Sequence, residues 1–148
     1  MTTAPPAPRV DSRILGWVVL GGALGTAARA ALVFPWQTGT DDATLAVPLV
    51  TLVINLVGAF ALGLVVGVLG PRHPSARAFL GTGVLGGFTT YSAFAVQTVT
   101  VSSWSTWLSV GLALVSVAIG FALAGVGVRC GRRLGARRDE VDAPEEAE

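Results

Sequence analysis

This chain is short of charge. Only 13% of its 148 residues are charged, against 52% that are hydrophobic. An ordinary soluble domain carries about 25% charged residues, so the balance points to a membrane protein. Lysine is absent, and all ten basic residues are arginine. The single cysteine, Cys130, excludes an internal disulfide and reads as a small residue at the edge of an apolar run. The single histidine, His73, lies beside Pro74 in a polar loop. Nucleophile–histidine pairs and general acid–base sites are therefore missing from the apolar part of the chain, which argues against an enzyme. No Asp, Glu, Lys or His falls within an apolar run. A proton-coupled multidrug exporter of similar size normally needs a carboxylate in the membrane to exchange protons, so that class is disfavoured. A formal net charge of +1 gives no reason to expect a nucleic-acid partner.

Four apolar runs are present, over residues 14–34, 47–69, 79–101 and 104–128. Each is close to the ~20 residues that cross a bilayer. Ser102-Ser103 alone separates the last two, which predicts a tight hairpin. The expected fold is an all-α membrane protein with four transmembrane helices in a domain over 13–130. A Thr/Ala/Pro-rich tail over 1–12 and the acidic end from Asp139 read as disordered, and 131–148 as a whole reads as a charged cytoplasmic tail. The first run, preceded by Arg9 and Arg13, also has the outline of a signal peptide. Cleavage near Ala28-Arg29-Ala30 would leave three spans and discard Arg29, and the spanning reading is preferred.

The arginines are one-sided. Arg9 and Arg13 precede the first run, Arg72 and Arg77 lie between the second and third, and Arg129, Arg132, Arg133, Arg137 and Arg138 follow the fourth. The other two loops hold none, and the first carries Asp41 and Asp42. The positive-inside rule then puts both termini in the cytoplasm, with the chain multi-pass in the cell (inner) membrane. The terminal arginines are placed to touch anionic membrane lipid.

Small residues recur four apart: Gly21 and Gly25, then Ala59, Gly63 and Gly67, then Gly83 and Gly87, then Gly120 and Ala124. Such ridges let helix backbones approach closely in lipid. They predict a tight bundle with little internal space and a narrow lumen. The third run is less regular. Gly86-Gly87 and Thr89-Thr90 sit in its middle, and both residue types are poor company for a helix. A break at membrane depth frees backbone groups that lipid cannot satisfy, so it must be buried in protein or line a wet cavity.

The polar residues within the runs are few. Arg29 lies about 15 residues into the first run, roughly 22 Å along it. It can snorkel to the outer surface or make an electropositive vestibule for anions. Thr51 and Asn55 are i, i+4 neighbours on one face, and Asn55 offers two donors. Ser105, Ser109 and Ser116 share a face of the fourth run. Tyr91 and Phe94 follow the break at i, i+3, and their ring edges are electropositive. Amide and hydroxyl donors, ring edges and freed helix ends without a carboxylate make a lining for a small anion.

Three motifs carry a resemblance over roughly residues 14–128. They are Gly22-x-x-Gly25-x-x-x-Arg29, then Thr51-x-x-x-Asn55-x-x-Gly58-Ala59-Phe60, then Gly81-x-Gly83-x-x-Gly86-Gly87-Phe88-Thr89-Thr90-Tyr91-Ser92-Ala93-Phe94. The second resembles the TxxxN-x-x-GSF pattern, and the third the GGFTTFSTF signature, of the fluoride channel family (Fluc or CrcB). The resemblance implies an antiparallel dimer of four-helix subunits, the third helix broken near its middle, with two narrow pores for passive efflux of cytoplasmic fluoride. By motif position it implies that Asn55 is the pore asparagine, that the edges of Tyr91 and Phe94 line the fluoride path, and that Ser92 and Thr51 neighbour it. Ser109 is the best match to a polar track on the fourth helix. Arg29 matches a vestibule arginine, and the backbone carbonyls of Gly86 and Thr89 match a structural sodium (Na+) site at the dimer centre.

Four positions depart from the family pattern: Tyr91 and Ala93 in the signature, Ala59 for a serine, and Gln97 where glutamate is common. An antiparallel homodimer also needs one sequence to insert both ways, which the one-sided arginines oppose. The expected partner is therefore a second, related subunit of opposite orientation. The alternative role for this chain is a weakly conducting or non-conducting subunit of such a pair.

Overall fold

The computed structural model describes residues 12–37, 46–90 and 106–141, and every regular element among them is helical. Helix α1 spans Ser12–Gln37 and helix α2 spans Ala46–Leu69. A third helix, α3, begins at Pro74 and changes its winding twice: Pro74–Arg77 is α-helical, Ala78–Leu85 winds as a π-helix, and Gly86–Phe88 is α-helical again. Helix α4 spans Thr106–Val141. The Ser102-Ser103 hairpin, the rest of the third apolar run and the loop carrying Asp41 and Asp42 lie outside the described residues.

Hydrophobic length explains the long helices. Ser12–Gln37, Val47–Leu69 and Ala113–Arg137 are each long and apolar enough to cross a membrane. Their apolar side chains point outward: Phe121 is 84% exposed, while Thr51, a polar residue, is 2% exposed. An apolar exterior of this extent suits lipid or another chain rather than water.

Helix α2 ends at a glycine because the backbone demands one. Gly70 has φ +53, a left-handed conformation that closes a helix end and that L side chains rarely adopt. Its N–H donates to the Val66 carbonyl at 3.2 Å. Its own carbonyl accepts a bond from Arg77 Nη1 at 3.2 Å, which ties the turn to the start of α3. Pro74 then opens α3, where its missing N–H costs nothing.

The helices pack as two pairs, α2 with α4 and α1 with α3. In the first pair a Cβ placed on Gly63 would run into the Ala124 carbonyl, and one on Gly127 into the Phe60 carbonyl. Gly67 and Gly131 continue the same backbone-to-backbone seam. Here the sequence expectation needs correction. Helix α4 continues past residue 128 to Val141, so the first part of the charged segment, including Asp139 and Glu140, is helical. The reason is tertiary: Gly131 and Gly135 carry the seam on to Gly67 and Val68 at the end of α2. In the second pair, Gly21 and Gly25 of α1 press on the α3 backbone at Phe79 and Val84. Trp17 and Phe79 meet edge to face at 5.8 Å between ring centroids.

Candidate functional site

The interruption of α3 lies two residues later than its glycines suggest. Gly86 and Gly87 are still helical, and the chain leaves the helix at Thr89, which is extended with φ −83 and ψ 153. Thr89 closes the last turn twice on one acceptor. Its N–H donates to the Leu85 carbonyl at 3.0 Å and its hydroxyl donates to the same oxygen at 2.8 Å.

Asn55 then takes over from the helix. The Thr90 N–H donates to Asn55 Oδ1 at 2.9 Å, and Asn55 Nδ2 donates to the Thr90 carbonyl at 3.1 Å. A side-chain amide thus pairs with both backbone groups of one residue, as a neighbouring peptide would. In a continuing α-helix the Thr90 N–H would serve the Gly86 carbonyl. Its turn toward Asn55 takes that helical donor away from Gly86. The next carbonyl, that of Gly87, accepts from two α1 side chains, Thr26 Oγ1 and Arg29 Nε, each at 3.4 Å. The approach of α1 needs a glycine here, since a Cβ on Gly87 would strike the Gly22 carbonyl.

A cavity of about 910 Å³ lies between α2, α3 and α4 beside this interruption. Its walls are mostly apolar. Among the described residues the polar lining consists of Asn55, Thr82, Thr89, Thr90, Ser116 and Arg77 and holds no acidic residue. The cavity is open to one side, so it lies between the helix pairs and not inside either tight pair. Glycine ridges close each helix pair, but they do not close the space between pairs.

The structure brings Asn55, Gly86 and Thr89 to this cavity and places Arg29 half-buried behind it, against Gly87. Thr51 is buried one turn below Asn55 and is not part of the lining. Tyr91, Ser92 and Phe94 lie outside the described residues, as do the departures Ala93 and Gln97. Ser109 falls on α4, with its side chain outside the described set. The sequence reading grouped Ser116 with Ser109 but did not select it, although helical spacing carried the signal. Thr26 was missed altogether, because a threonine one turn before Arg29 has no distinguishing context in sequence.

These features define a membrane protein, helical throughout its described elements, with its polar groups gathered where α3 ends. The chain matches the family model described as CrcB-like protein, Camphor Resistance (CrcB), over residues 16–128, and it belongs to that family, which is one of ion channels rather than enzymes. It is 43% identical to "Fluoride-specific ion channel FluC 2" of Leifsonia xyli subsp. xyli over 129 residues, 82% of this chain and 85% of that protein. It is 42% identical to "Fluoride-specific ion channel FluC 1" of Cutibacterium acnes, covering 79% of this chain and 86% of the relative. With "Fluoride-specific ion channel FluC 1" of Mycolicibacterium paratuberculosis the identity is 39%, over 86% of this chain and 97% of the relative.

Proposed function

We propose that this chain is a subunit of a fluoride-selective channel through which cytoplasmic fluoride leaves passively. The observation that carries the reading is a cavity lined by amide, hydroxyl and guanidinium donors, without a carboxylate among the described residues, level with a helix stop. Names of relatives as fluoride-specific channels support it. Hydrogen fluoride is a weak acid that crosses membranes and ionises at cytoplasmic pH, so fluoride accumulates inside. A channel lets the trapped anion leave down its electrochemical gradient and needs no energy-coupling residue.

In this reading the channel is an antiparallel dimer in the cell membrane, and the termini of this chain are cytoplasmic. Asn55 holds the helix stop open and presents its second amide N–H to the path, while the ring edges of Tyr91 and Phe94 face the ion. Ser92, Thr51 and Ser109 are its hydroxyl neighbours, and Arg29 supplies positive charge from the α1 side. A sodium ion at the dimer centre would be held by the carbonyls of Gly86 and Thr89. Carbonyl oxygen suits a hard cation. The fit rests on the Thr90 N–H being directed to Asn55 and away from Gly86. A second reading is a weakly conducting or non-conducting subunit paired with a related chain: the departures at Tyr91 and Ala93 favour the weak conduction and the one-sided arginines the pairing.

Liposomes loaded with fluoride test both. The reconstituted chain is expected to release fluoride far faster than chloride, and Asn55→Leu or Phe94→Ala is expected to suppress release. Release untouched by both substitutions would overturn the pore assignment. Release only after co-reconstitution with a related subunit selects the second reading.

A further inference from the structure

The fluoride reading accounts for the middle of the cavity but not for its end, where Arg77 stands. We propose that Arg77 is an anion-gathering residue at the inner mouth of the path, drawing fluoride toward Asn55; the proposal rests on the fluoride reading. Arg77 is half-buried, lines the same cavity as Asn55, Thr90 and Ser116, and sits beside the turn that ends α2. Fifteen residues separate Asn55 from Gly70, whose carbonyl Arg77 binds. At helical rise this puts the guanidinium about 22 Å from the clamp along α2. Positive-inside topology places that end in the cytoplasm.

The modest role for Arg77 is to cap α2. Its Nη1 does so, but that spends one of the five donors of a guanidinium. Capping needs a donor and does not need a charge. The charge acts on the cavity, where no acidic side chain among the described residues lines the wall to cancel it. Arg72 and His73, in the same turn, are exposed. A cation between low-dielectric walls concentrates anions at a mouth, an effect that salt weakens over a Debye length of about 10 Å at 0.1 M. Fluoride is strongly hydrated, so gathering it before it dehydrates raises the rate of entry without a trapping site deep in the path.

The test uses the full chain in liposomes, with whichever partner subunit supports wild-type release, at low and high concentrations of an inert salt. Arg77→Gln keeps a donor for Gly70 and removes the charge, whereas Arg77→Lys keeps the charge and removes the fork. Glutamine is expected to slow initial fluoride release about three- to tenfold at low salt, within the range that focused charge gives. The deficit should shrink at high salt, and lysine should remain near wild type. Glutamine at the wild-type rate, or glutamine and lysine equally slow with no salt dependence, would overturn the proposal. If the glutamine variant does not fold, Arg77→Cys in a Cys130→Ser background replaces it. Labelling with a cationic aminoethyl thiosulfonate should then restore release and a neutral methyl reagent should not; equal effects of the two reagents overturn the idea. A wild-type chain that passes no fluoride overturns the functional reading with it, while wild-type release with an unaffected glutamine variant overturns only the role of Arg77.

Discussion

The two helix pairs use the same device to different ends. In the α2–α4 pair, Gly63, Gly67, Gly127 and Gly131 bring two uninterrupted α-helices into backbone contact. In the α1–α3 pair, Gly21, Gly25, Gly83 and Gly87 bring α1 just as close, yet α3 winds as a π-helix and then stops. Close approach therefore does not break a helix. The difference is the supply of alternative partners. Along α3, Thr26, Arg29, Asn55 and the Thr89 hydroxyl stand ready to pair with backbone groups at the stop. These bonds gather at the end of α3, whereas α2 and α4 run on as regular α-helices through their seam. π-helical turns occur often at functional sites, and here one precedes the helix end that reaches the cavity beside Asn55.

The largest effect should come from filling either seam. Gly63→Val and Gly25→Val would each force a side chain into a backbone carbonyl, that of Ala124 or of Val84. Backbone cannot rotate away as a side chain can, so each is expected to cost about 3 kcal/mol or more and to abolish recovery of a monodisperse protein in detergent. If Gly25→Val were tolerated and Gly63→Val were not, the π-helical segment would be the more yielding partner and the two seams would be unequal in rigidity.

A smaller effect, confined to the interrupted side, should follow Asn55→Asp. An ionised carboxylate accepts from the Thr90 N–H but cannot donate to the Thr90 carbonyl. The expected loss is about 1–3 kcal/mol, read as a lower denaturant midpoint, together with slower fluoride release. A midpoint unchanged even at alkaline pH, where the carboxyl is ionised and cannot donate, would mean that the amide does not hold the stop. The smallest effect should come from Thr26→Val, which deletes a long 3.4 Å bond from an exposed hydroxyl while Arg29 still serves Gly87. A loss of about 0.5 kcal/mol is expected. A loss as large as that of Asn55→Asp would show that α1, rather than α2, supports the interruption.

Much of this arrangement was legible in sequence. The positions of α1 and α2 and the small-residue ridges followed from hydrophobic length and four-residue spacing, whereas Asn55 was singled out by the motif that carries the resemblance. The site of interruption was only partly legible. Gly86 and Gly87 have weak helix propensity, but tertiary packing overrides propensity. These glycines serve close contact with α1, and the threonines mark where the chain turns away. The continuation of α4 to Val141 was hidden because its composition is charged and its support, the end of α2, is remote in sequence. The open space between pairs was hidden because a ridge records one contact face of a helix and says nothing of the opposite one.

Sequence by itself determined that this protein belongs in a membrane, where α1 and α2 run, which small-residue ridges let backbones touch, and that no carboxylate or histidine lies in the apolar runs. Those follow from composition and from local spacing, which act along the chain. Only the tertiary structure decided that the sole asparagine spends its amide on Thr90, that Arg29 and Thr26 share one carbonyl, and that Arg77 and Ser116 face the same cavity. Each is a pairing between groups on different helices, and hydrogen bonds and cavities depend on distances in space that no spacing along one helix encodes.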